Sequence, residues 1–72
     1  MTVYQFCYTS CIYESAPETV SVHFTEQGAT KAMEAHKQAA LAEWTLGGSE
    51  DHPNSEFGEF EKWGTWPIQI ID

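Results

Sequence analysis

Four side chains in this sequence carry the donor atoms that metal or nucleophilic chemistry requires: Cys7, Cys11, His23 and His36. The cysteines are spaced C-x3-C, not the C-x2-C of a structural zinc knuckle, and with the histidines they fall on three different elements. A Cys2His2 metal site and a disulfide are the alternatives; ordinary thiols are the expectation. His36 sits in an apolar helical stripe, where a ring at the core margin with a local hydrogen bond is the simpler role. His23 and His52 are expected to be solvated. No triad order, G-x-S-x-G or H-E-x-x-H accompanies these residues, and Gly47-Gly48 follows a helix instead of opening one around a phosphate. The expectation is therefore a protein that is not an enzyme and holds no metal or other cofactor.

The carboxylates say more. Glu50, Asp51, Glu56, Glu59 and Glu61 fall within twelve positions, and Lys62 is the one base beside them. Glu14 and Glu18 flank an earlier loop, and Asp72 adds a further acid. A solvated, solubilising surface explains such a run, as does a negative field presented to a basic site on a protein partner, where complementary charge speeds encounter and selects the partner. On a strand, Glu59 and Glu61 would project about 6.5–7 Å apart on one side, near two steps of the roughly 3.4 Å phosphate pitch of a DNA strand. Phe57, Phe60, Trp63 and Trp66 are interleaved with these acids. Exposed aromatic rings with an acidic rim describe an interface anchor; a second small core beneath residues 57–63 is the alternative. The expected partner-binding set is Glu50, Asp51, Glu56, Glu59, Phe60, Glu61, Trp63 and Trp66.

The chain has 72 residues, with 3 basic against 11 acidic side chains and a net charge of −8. At 8.1 kDa such a chain buries only about 60% of its unfolded surface, enough for one domain (residues 1–72) and one small core. Its charge argues against direct binding to nucleic acid or to an anionic membrane, because little here displaces phosphate counterions. At 42% hydrophobic and 14% aromatic the composition is that of a folded chain. Met1 is followed by no basic, apolar and small-residue succession, so an untagged start without a secretory signal is expected. No run approaches 18 apolar residues, so no membrane span is expected either. Both readings point to the cytoplasm, where cysteines stay reduced.

The elements that must position these residues follow from periodicity. Residues 2–9 alternate strictly, Tyr4, Phe6 and Tyr8 against Val3, Gln5, Cys7 and Thr9, and predict a strand. Residues 10–17 form a loop ending in Pro17. A second, antiparallel strand is predicted over 18–24, with Val20, Val22 and Phe24 on one side. Thr25 is placed as an N-cap before an alanine-rich helix over 26–46, which Gly47-Gly48 ends. Ala29, Met33, His36, Ala40 and Trp44 form its apolar stripe, while Lys31, Glu34 and Gln38 face water. An acidic loop spans 49–56, the segment 57–63 fits either a helical turn or a strand, and a last strand runs through Trp66, Ile68 and Ile70, with Pro67 confining it to an edge or a strand start. The order is ββαβ, or ββαββ if 57–63 pairs: a two-layer α+β fold with one helix on one face of an antiparallel sheet. The expected core is Phe6, Val20, Val22, Phe24, Met33, Trp44, Ile68 and Ile70. Such a core is marginal, so a bound partner or a homodimer would add stability.

In size, in the −8 charge, in the strand beginning at Thr2 and in the Phe24-Thr25-Glu26 entry to an alanine-rich helix, the chain resembles small acidic proteins encoded by phages against host functions. The anti-CRISPR inhibitors and the DNA-mimic anti-restriction proteins typify that group. The resemblance implies a protein of the host-cell cytoplasm that blocks a host defence nuclease or effector complex by binding a basic protein surface, without catalysis. It assigns no particular residue. The clustering of acids in the C-terminal half departs from full DNA mimicry.

Overall fold

The computed structural model describes residues 1–47 and 56–71. Its elements are β1 (Thr2–Thr9), β2 (Glu18–His23), α1 (Glu26–Gly47) and β3 (Lys62–Gln69). They build a three-stranded antiparallel sheet in the order β2-β1-β3, with the helix on one face. This is the expected small α+β fold. The optional fourth strand does not form among the described residues: 57–60 is a turn, and Trp63 belongs to β3.

Local chemistry accounts for each element. Thr25 Oγ1 accepts the Gly28 amide at 3.0 Å, so the threonine caps the helix at its third residue. Ala29 is wholly buried on the expected stripe, with Met33, His36, Ala40 and Trp44 half-buried along it. Strand β3 lies on the sheet edge, where a proline such as Pro67 costs least. Across the sheet, Gln5 pairs with Val22 and with Trp66, and Phe6 pairs with Ser21 and with Thr65. Phe6 and Tyr8 stack against His36 of the helix, so their face is the covered one.

Strand β2 corrects the expected core. Its register turns Ser21 and His23, not Val22, toward the helix; Val20, Val22 and Phe24 are all exposed. The reason is competition for one small covered face. The rings of β1 occupy it, and the register shift opposite Phe6 and Cys7 leaves Val20 as an extra residue outside the ladder. Gly28 lets the helix start close to His23, since a Cβ there would stand 3.3 Å from His23 Cβ. His23 is accordingly half-buried and bonded to Ser21, not solvated as expected. Ile70 is also exposed, while among the described residues Val3, Phe6, Cys7, Cys11, Ala29 and Thr9 are those that bury fully.

Candidate functional site

Two clusters contain the residues singled out for chemistry. The first lies between the helix and the sheet. Trp63 Nε1–H donates to His36 Nδ1 at 3.0 Å, and Tyr8 stacks on His36 with centroids 4.4 Å apart. Lys37 Nζ stands 5.4 Å over the Trp63 ring, and Phe57 bridges Trp63 and Trp44. The Tyr8 hydroxyl donates to Glu61 at 2.6 Å. Burial, then the hydrogen bond and charge of Glu61, then the charge of Glu43, hold that phenol well above its usual value of 10.0. A phenol raised in this way is a firm hydrogen-bond donor and a poor base near neutral pH. The Nδ1 of His36 is taken up by the indole N–H. The arrangement locks β3 to the helix.

The second cluster lies where β1 ends and β3 begins. The Ile12 amide donates to the Phe60 carbonyl at 2.8 Å, and the Tyr13 ring meets Phe60 edge-on at 5.7 Å. Thr9 holds this loop in place. Its hydroxyl lies 2.7 Å from Ser15 Oγ and accepts the Cys11 amide at 3.3 Å, and the Cys11 carbonyl accepts the amides of Glu14 and Ser15. On the facing side, the 56–59 turn closes through Glu59 N–H to the Glu56 carbonyl and Glu56 N–H to Glu59 Oε2, each 3.1 Å. Gly58 sits in that turn at φ 79, a conformation that favours glycine. Tyr13 nevertheless stays 78% exposed, and Ile12, Glu14, Glu56 and Glu59 are exposed with it. The result is an apolar tip with a carboxylate rim.

The predicted binding residues therefore divide. Glu56, Glu59 and Phe60 belong to this tip. Glu61 is half-buried and tied to Tyr8 instead of presenting a free charge. Glu59 stands in a bend and Glu61 just ahead of β3, so the strand spacing proposed for a phosphate mimic does not occur. Trp63 and Trp66 point to opposite sides of the sheet because their separation is odd: Trp63 pairs with Tyr8 on the covered face, Trp66 with Gln5 on the one away from the helix. Glu50, Asp51 and His52 lie outside the described residues. Ile12 and Tyr13 were missed by the sequence reading. Their signal was available, two large apolar residues side by side inside a loop.

The metal alternative meets a geometric obstacle. Cys7 lies on the face away from the helix, fully buried beside Thr19 and Gly64, whereas His36 and His23 lie on the helix side, so the sheet stands between these ligands. Both cysteines are free thiols, and no group of metal-binding side chains forms among the described residues. No described helix is long and apolar enough to cross a membrane. No protein family, curated protein or solved structure matches this chain.

Proposed function

We propose that this chain is a non-enzymatic binding protein that docks the tip formed by residues 10–17 and 56–61 onto a basic surface of a protein partner. One observation carries the reading: Tyr13 is held against Phe60 yet left 78% exposed, and the two segments that meet there carry the exposed carboxylates Glu14, Glu56 and Glu59. An ordered aromatic ring with little entropy left to lose is the usual anchor of an interface, and surrounding charge steers its approach. On this reading the chain acts by occupancy, covering a basic protein site of matching shape. Blocking a host defence nuclease or effector complex in the cytoplasm is the form of this activity that the resemblance to phage inhibitors favours.

The test is retention of proteins from a lysate of the native host on immobilised wild-type chain, Tyr13→Ala and the Glu56→Lys/Glu59→Lys double variant. A basic protein held by the wild type at about 0.05 M salt, released at about 0.5 M and retained by neither variant, supports the proposal. Equal retention by all three chains refutes it.

A further inference from the structure

We infer that the bond between His36 and Trp63 is an acid-released latch: when His36 gains a proton, the Trp63 indole comes free and the turn at 56–59 loses its support. The bond itself fixes which protonation state is closed. An indole N–H can only donate, so the His36 Nδ1 that it reaches at 3.0 Å must offer a bare lone pair. The closed form is therefore the neutral imidazole, with its proton on Nε2. A second proton goes to Nδ1, where one N–H then faces another and neither has an acceptor. An amide or carboxylate side chain would accept from the indole throughout the neutral range; histidine is the acceptor that disappears between about pH 8 and pH 5.

The charged neighbours pull both ways. Lys37, whose ammonium stands 5.4 Å over the same indole, opposes a second cation. Glu61 and Glu43 act on Tyr8, which stacks on His36, and Glu18 of β2 pairs beside Tyr8; these carboxylates ease the gain of a proton. His23 of β2 packs at Gly28, roughly two helical turns away. Tyr8 keeps its proton across this range and its bond to Glu61, so acid loosens the segment without detaching it. Trp63 passes the change on. Its ring packs on Phe57 at 5.7 Å, and a Cβ on Gly58 would stand 3.6 Å from its Cζ3. The turn resting on this indole carries Glu56 and Glu59 and leads into Phe60, the residue that holds Tyr13. Mild acid therefore weakens docking of the tip, a consequence that rests on the function proposed above.

Proton–nitrogen NMR of the isotope-labelled full chain from about pH 8 to about pH 5 tests the latch, in a range where most carboxylates stay charged. Trp63→Phe assigns the indole resonance, and the Trp66 indole, on the other face of the sheet, is the internal reference. The Trp63 indole and the 56–59 amides are expected to shift in one step with the His36 ring. Exchange of the Trp63 indole proton with solvent, relative to that of Trp66, should rise about fivefold, as loss of one hydrogen bond requires. In His36→Asn, whose Oδ1 takes the place of Nδ1 and gains no proton, both the shift and the rise should vanish. Circular dichroism checks the fold of that variant; should it not fold, Trp63→Phe is expected to lose the step in the 56–59 amides. A wild-type Trp63 indole that stays unmoved from pH 8 to pH 5, or the same step in a folded His36→Asn or in Trp63→Phe, overturns the inference. The measurement involves no partner, so its outcome is separate from whether the tip docks.

Discussion

Tyr8 and Trp63 are the side chains through which the covered face of the sheet holds the acidic turn. Folding places the Tyr8 hydroxyl beside Glu61 in a partly buried site and raises its titration above 10.0. The neutral phenol is therefore the form the fold favours. Its contribution is whole below pH 10 and is lost as pH climbs through the higher folded value. Urea denaturation from about pH 8 to about pH 12 should show wild-type stability falling above about pH 10 and a flatter profile for Tyr8→Phe. Parallel profiles would remove this role from Tyr8. Trp63→Phe keeps a ring against Phe57 but deletes the bond to His36, and a loss of about 1 kcal/mol in the same assay is the expected cost. The helical spacing placed His36 correctly in the apolar stripe. Its bond to Trp63, 27 residues away, was not legible, because it depends on which face of β3 is covered.

The elements themselves were largely readable, because their signals are local. Thr25 caps the helix as its sequence context predicts, and Thr25→Ala should cost about 1 kcal/mol by thermal or chemical unfolding, with Thr25→Asp near wild type. Pro67 did confine its strand to an edge. Strand β2 was misread for a reason that alternation cannot remove: a period of two defines two faces and is silent on which turns inward, and one extra residue at Val20 breaks the register. The turn at 56–59 was also beyond reach, since in the segment 57–63 the three-residue spacing suits a helical turn and the aromatic content suits a strand. Gly58 settles it by adopting φ 79. Gly58→Ala is expected to destabilise the chain by about 1 kcal/mol, read by chemical unfolding, and to weaken docking of the tip.

At the scale of the whole molecule, an exposed ring and carboxylates share the end where β1 finishes and β3 begins. Among the described residues, Glu14, Glu56, Glu59 and Glu61 gather at that end, while Glu26, Glu34 and Glu43 lie along the helix. Charge and size were legible from composition, as was a surplus of aromatic residues over what one small core holds. The division of those aromatics was not: Trp63 went to the helix side, Trp66 to the opposite face, and the exposed ring at the acidic end is Tyr13, from a loop 47 residues before Phe60. Site-specific photo-crosslinking tests the docking claim most directly. A benzophenone side chain replacing Tyr13, and the same group replacing Leu46 as a control, would be irradiated in lysate of the native host. The expected result is an adduct with a basic protein from position 13 alone, lost at about 0.5 M salt and lost again with Glu56→Lys/Glu59→Lys. No adduct from position 13, or the same adducts from both positions, would contradict it.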